Sequence, residues 1–131
     1  MQNQCPCGSG LSYPNCCQPI ISGITDAESA QKLMRSRYAA FTRADGAYLM
    51  SSHSSKTRPI HERKSIEKWA KSVTWMGLTI LHTNTGEAGD ETGSVEFKAL
   101  YLENGKLQQI HEKSLFEREN GKWVYVSGEI K

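Results

Sequence analysis

Four cysteines stand within the first seventeen residues, as Cys5-x-Cys7, eight residues, then Cys16-Cys17, and the rest of the 131-residue chain has none. Four thiols in one short segment fit either a metal site or a pair of disulfides. Three features favour metal. Neighbouring cysteines pair poorly with each other, because a disulfide needs a specific Cα separation and torsion. The first residues, Met-Gln-Asn-Gln-Cys, have no basic region and no apolar stretch, so no secretory signal is expected and the compartment should be reducing and cytoplasmic. Gly8-Ser9-Gly10 can turn tightly and aim backbone N–H groups at thiolates. Zinc takes four thiolates in a closed tetrahedron, which leaves no position for a substrate. A zinc ion on Cys5, Cys7, Cys16 and Cys17 is therefore expected to be structural, and a catalytic cysteine is not expected.

The other candidate chemistry is carried by ionisable residues in apolar patterns. Arg37 falls on the apolar stripe Ala30, Leu33, Met34, Tyr38 and Phe41, and Glu112 alternates with Ile110, Ser114 and Phe116. A carboxylate on such a face costs several kcal/mol unless partnered, by about the amount that burying an unpaired charge costs. Arg37 is the obvious counter-charge, so an Arg37–Glu112 ion pair is expected between helix and sheet. It serves either as an internal register pin or as the lining of a pocket. His53, between two serine pairs, is a candidate acid or base at a pocket mouth, with a solvated loop position as the alternative. His111 should point to the opposite sheet face from Glu112, and His61 and His82 are expected at the surface. Residues 56–71 carry an excess of four positive charges beside Trp69, which suits either a solvated basic face or contact with RNA.

These residues need elements to position them. Residues 19–23 read as a linker. Thr25 and Glu28 fit a capping box ahead of a helix over residues 27–44. Asp45-Gly46 breaks it, residues 47–52 suit a short second helix, residues 51–59 a polar loop, and residues 65–70 a helical turn capped by Ser65. The second half alternates. Strands are expected over residues 73–83, 93–103, 107–119 and 122–130, with hairpin turns at Asn104-Gly105 and Asn120-Gly121. Val95, Phe97, Ala99 and Tyr101 form one inward row, and Trp123, Tyr125 and Ser127 another. Helices followed by a four-strand antiparallel meander make the fold class α+β.

The net charge of +2, with 37% hydrophobic and 23% charged residues, suits one core and argues for neither nucleic acid nor membrane as a bulk partner. No apolar run reaches the roughly 20 residues that a membrane helix needs. No serine sits in a nucleophile elbow, and Gly8-Ser9-Gly10 has neither the preceding strand nor the following lysine of a phosphate loop.

The segment Cys5-Pro6-Cys7-Gly8-Ser9-Gly10, followed by Tyr13 and Cys16-Cys17, closely resembles the SEC-C motif, a zinc module known from the tail of the translocation ATPase SecA. SecA usually ends the motif in Cys-His, where this chain has Cys16-Cys17. Nearly the whole chain resembles the YchJ-like family, which joins this motif to a nuclear transport factor 2-like (NTF2-like) domain, a curved sheet wrapped around helices. The resemblance is carried by residues 33–38 (Leu-Met-Arg-Ser-Arg-Tyr), His53 with Thr57-Arg58-Pro59, Gly93-x-Val95-Glu96-Phe97-x-Ala99-x-Tyr101, His111-Glu112-x-Ser114-x-Phe116 and Gly121-x-Trp123-x-Tyr125-Val126. Two positions depart from it: Leu115 stands where the family often has a basic residue, and Ser127 where it often has Asp. The resemblance implies a zinc knuckle over residues 1–20, a cone-shaped domain over residues 24–131, and pocket candidates Arg37, Tyr38, His53, Arg58, Glu112 and Ser114. It also implies a protein or ribosomal partner for the knuckle, and a homodimer through an outer sheet face that includes Lys98, Leu100 and Leu102 beside His111 and Lys113. Three functions follow as expectations: a binding or adaptor module with a small-ligand pocket, an isomerase- or dehydratase-like enzyme, and an RNA- or ribosome-associated factor using the knuckle and residues 56–71. The larger domain is expected to have a core that does not depend on the cysteines.

Overall fold

The computed structural model describes residues 4–131; residues 1–3, which open the 1–20 segment and part of the N-terminal reading, lie outside the described residues. A short cysteine-bearing segment with a 3₁₀ turn at Tyr13–Asn15 leads into helix α1, Cys17–Ile21. Helices α2 (Ala30–Thr42), α3 (Gly46–Ser51) and α4 (Arg63–Ser72) follow. Strands β1 (Thr74–Thr85), β2 (Thr92–Glu103), β3 (Lys106–Glu119) and β4 (Lys122–Ile130) then form one antiparallel sheet in the order β1-β2-β3-β4. The expected α+β class and meander are both present. Among the described residues no helix is long and apolar enough to cross a membrane.

Two of the turns were readable in the sequence for a physical reason. Asn104-Gly105 and Asn120-Gly121 both adopt positive φ at their two residues, the backbone that matches the twist of a two-residue hairpin. Strand β1 departs from its partner's register between Trp75 and Gly77 and again between Ile80 and His82. Such extra residues bend a strand. They keep Trp75, Leu78 and Ile80 opposite Tyr101, Ala99 and Phe97, on the row that faces the helices. Helix α2 lies across that face, and its buried side chains Leu33, Met34 and Tyr38 join Val95, Phe97, Phe116 and Trp123 in one core.

Several local expectations are corrected. Helix α2 starts at Ala30, capped by Ser29, whose side chain accepts from the Lys32 amide at 3.1 Å. The Ala30 amide is taken by the Gly86 carbonyl at 2.9 Å, so the β1–β2 turn pins the helix start one turn beyond Thr25. Residues 19–23 are not a plain linker, because their first three residues belong to α1, which buries Ile20. Ser65 does not cap α4. It lies inside the helix and donates to the Glu62 carbonyl at 2.9 Å.

The cysteine segment is not set apart from the larger domain. Cys5, Cys7, Cys16 and Cys17 are buried in the same apolar cluster as Leu33, Met34, Tyr38 and Leu78. Arg35, on α2, donates from Nη1 to the Cys7 carbonyl at 2.6 Å. The expectation of a core independent of the cysteines is therefore revised: a segment this short buries its thiols only by leaning on α2 and β1.

Candidate functional site

The first site is the cysteine cluster. Gly8 and Gly10 both take the left-handed backbone, with φ of 82° and 88°, and fold the chain back so that the two cysteine pairs meet. The four Sγ atoms all lie within 4.8 Å of one another; Cys7 and Cys16 are 3.6 Å apart, and Cys16 and Cys17 3.9 Å. All four are free thiols. Four thiolates at about 2.3 Å from one ion sit about 3.8 Å from each other, so this donor set fits a tetrahedral metal. Ser9 Oγ lies 3.2 Å from Cys16 Sγ. Hydrogen bonds from Cys17 and Cys5 hold the Cys7 thiol far below its ordinary value, while the bonds to Cys5 and Cys7 push Cys17 up. Thiolates crowded this closely repel one another, and a cation among them relieves that repulsion.

The second site is a cavity of about 220 Å³ between the helices and the concave sheet face. One end is aromatic. Trp75 is the hub, with its ring 5.7 Å from Tyr38, 5.7 Å from Phe41, 5.4 Å from Trp69 and 5.6 Å from Tyr101. The other end is polar and carries Arg37, His53, Glu112 and Tyr125.

Arg37 and Glu112 line the same cavity but do not form the expected ion pair. Among the described residues, Arg37 Nη1 donates to the Leu49 carbonyl at 2.9 Å and to Ser52 Oγ at 2.7 Å. The guanidinium carbon lies 4.6 Å above the Tyr125 ring. Glu112 Oε2 instead accepts from Ser114 Oγ at 2.7 Å and from the Tyr125 hydroxyl at 3.1 Å. Tyr125 therefore stands between the two charges, with its face to the cation and its hydroxyl to the carboxylate. A register shift in the β3–β4 pairing next to Phe116 explains why it can. Tyr125 pairs with Phe116, but Ser127 then falls opposite Leu115 and Gly128 opposite Ser114. The expected inward row Trp123, Tyr125, Ser127 is thus broken, and Ser127 is exposed on the outer face. Gly128 takes the inward place, where an added Cβ would run into the Glu112 carboxylate and lie 2.8 Å from the Tyr125 hydroxyl. Glycine makes the room that the carboxylate occupies.

Burial sets the charges. Arg37 is 6% exposed, and its pKa is pushed down to about 10, chiefly by burial, so it stays charged at neutral pH. Burial first, then the charge of Glu112 and the hydrogen bond to it, raise the Tyr125 phenol, which stays protonated and able to donate. His53 is buried, because the supposed solvated loop adds a parallel bridge to the edge of β4: the Ser54 amide bonds the Tyr125 carbonyl at 2.7 Å, and the Tyr125 amide the Ser52 carbonyl at 2.9 Å. Burial first, then the charges of Arg37 and Arg58, push His53 down to about 4. The imidazole is neutral at pH 7. Thr57 donates its hydroxyl to the Val126 carbonyl at 2.7 Å, so the 3.0 Å contact with His53 Nε2 places the ring proton on Nε2 and leaves Nδ1 as the acceptor.

Of the other candidates, Tyr38 lines the cavity, Ser114 holds Glu112 from behind, and Arg58 stays outside, donating to the His53 carbonyl at 2.9 and 3.1 Å. Trp69, Trp75 and Tyr125 were missed as site residues. The signal for Trp75 was an inward aromatic opposite Tyr101, and for Tyr125 its place on the inward row with Trp123; the register shift that brings Gly128 beside Glu112 is not written in the neighbouring residues. In the basic segment, Lys56 pairs with Glu117 at 3.4 Å and Arg63 with Glu67 at 3.2 Å. His111 bonds Glu96 at 2.7 Å.

The fold and the two sites together define a class: an NTF2-like cone domain carrying an N-terminal SEC-C-type cysteine knuckle. A family model described as the YchJ middle NTF2-like domain matches residues 29–128. A UPF0225 protein of Geobacter sulfurreducens is 39% identical over 128 residues, covering 98% of this chain and 80% of that protein. One from Streptomyces coelicolor is 43% identical over 126 residues, covering 96% and 94%. The solution structure of a SEC-C motif containing protein from Rhodopseudomonas palustris matches with a TM-score of 0.87 at 32% identity, covering 98% of both chains. The crystal structure of another, from Psychrobacter arcticus, matches with a TM-score of 0.81 at 29% identity, covering 97% of this chain and 82% of that one. The chain belongs to the YchJ-like, UPF0225 family.

Proposed function

We propose that the protein is a small-ligand-binding module whose knuckle is held by a structural zinc ion on Cys5, Cys7, Cys16 and Cys17. The observation that carries the binding reading is the cavity: about 220 Å³ of open space, aromatic at one end and polar at the other. Ligand sites are largely apolar concavities with a few convergent polar groups. The volume limits the ligand to one or two rings, since a cavity of about 150 Å³ already admits benzene. Zinc is supported by the four thiols and their spacing. Such a shell is closed, so the ion would brace the N-terminal segment against α2 and take no part in binding or turnover. The reducing cytoplasm, where these thiols stay free, belongs to the same reading.

Calorimetric titration with indole tests the binding reading. The expected result is saturable binding to one site. Ala99→Leu, which fills the cavity from strand β2, should abolish it while leaving the fold nearly as stable. A side-chain-filled interior gives the reverse: no binding, and a loss of about 1–3 kcal/mol from overpacking in Ala99→Leu.

A second reading is an isomerase- or dehydratase-like enzyme. It is favoured by two groups at the polar end that accept nothing from the protein among the described residues, Nδ1 of the neutral His53 and Oε1 of Glu112, since proton transfer needs a base within reach of the substrate. Solvent deuterium exchange into a bound ligand, lost in both His53→Gln and Glu112→Gln, is its test.

A further inference from the structure

The free edge of Arg37 narrows the ligand class. Nη1 is used by Leu49 and Ser52, whereas Nε and Nη2 have no protein acceptor among the described residues. Neither nitrogen is sealed in: among the described residues, the only fully enclosed side-chain polar atom without a partner is Trp123 Nε1. Arg37 is 6% exposed and lines the cavity, so the Nε–Nη2 edge borders it. No carboxylate lies within ion-pair distance of this guanidinium among the described residues. A buried cation without a counter-ion is costly, and Nε with Nη2 forms the planar fork that takes both oxygens of one carboxylate.

We propose, resting on the binding reading above, that the cavity selects a small aromatic monocarboxylate, its carboxylate on the Nε–Nη2 edge of Arg37 and its ring toward Trp75 and Trp69. Three observations define the class. Tyr38, Trp69 and Trp75 line the cavity, and aromatic side chains take a ligand ring by face or edge. The volume of about 220 Å³ accepts a substituted benzene or an indole and little more. The cavity holds one cation, with the Glu112 carboxylate beyond Tyr125, so a dianion such as a phosphate ester would meet one partner and one repulsion. Glu112 Oε1, which accepts nothing from the protein among the described residues, is free to take a ring hydroxyl or N–H of the same ligand.

The experiment titrates the metal-loaded full chain with benzoate and indole-3-carboxylate, and with their neutral carboxamides, following tryptophan fluorescence. The carboxylates should bind about tenfold or more tightly than the amides, the ratio one charge-assisted bidentate contact supplies. Arg37→Met should lose that preference and keep the amide affinity. Equal affinity of carboxylate and amide for the unaltered protein overturns the carboxylate assignment while the binding reading stands. Absence of binding by all four probes overturns both. The comparison on the unaltered protein decides the matter even where Arg37→Met does not fold.

Discussion

Acid should destabilise this protein through His53, and the size of the effect can be worked out. In the unfolded chain the imidazole titrates near 6.5; in the fold, burial and the charges of Arg37 and Arg58 hold it to about 4. As pH falls through 6.5 the unfolded state takes up a proton that the folded state refuses. Stability is therefore fully present above pH 6.5, is lost as pH falls, and levels off below about 4. Linkage puts the loss at about 2 kcal/mol between pH 7 and pH 5, and about 3 kcal/mol in full. With His53 only 9% exposed, solvent screening removes little of this. The assay is urea unfolding at pH 7 and pH 5 for the native sequence and for His53→Gln, whose amide can still donate to Thr57. Any response of the cysteine cluster to the lower pH is common to both and cancels in the difference. The native chain should lose about 2 kcal/mol more than the variant over that interval. Parallel pH dependences would refute the burial of a neutral His53.

Three further outcomes follow from named contacts. Chelation, or Cys17→Ser, should lower the unfolding midpoint of the whole chain in one transition, because the cysteines share the core with Leu33 and Tyr38; calorimetry that leaves the main transition unmoved would contradict this. Gly128→Ala should displace the Glu112 carboxylate from Ser114 and Tyr125 and cost about 1.5–3 kcal/mol, the range for bonds to a charged group, and Glu112→Ala should remove most of that cost in a double-mutant cycle. Ser29→Ala should cost about 1 kcal/mol in urea unfolding as the cap of α2, where Thr25→Ala should cost almost nothing.

The parts of this molecule that the sequence revealed are those governed by short-range rules. Alternation and two Asn-Gly pairs placed β2, β3 and β4 to within a residue or so, and cysteine spacing marked the knuckle. What stayed hidden depends on contacts distant in sequence. The true start of α2 is decided by the Gly86 carbonyl, in a turn far along the chain, which accepts from the Ala30 amide. His53 looked solvated because its neighbours are serines, yet Ser52 and Ser54 are buried by backbone pairing with β4. Arg37 and Glu112 were legible as inward-facing charges from the periodicity of α2 and β3. Their relation was not, since one register shift in the β3–β4 pairing inserts Tyr125 between them and turns Ser127 outward.

The most direct test of the central claim, a ligand cavity between α2 and the sheet, is nuclear magnetic resonance of the nitrogen-labelled, metal-loaded chain titrated with benzoate. Trp69 and Trp75 line the cavity and Trp123 does not. The indole N–H signals of Trp69 and Trp75 and the Nε–H signal of Arg37 should move and saturate together while that of Trp123 stays in place. Unmoved Trp69, Trp75 and Arg37 signals would contradict it.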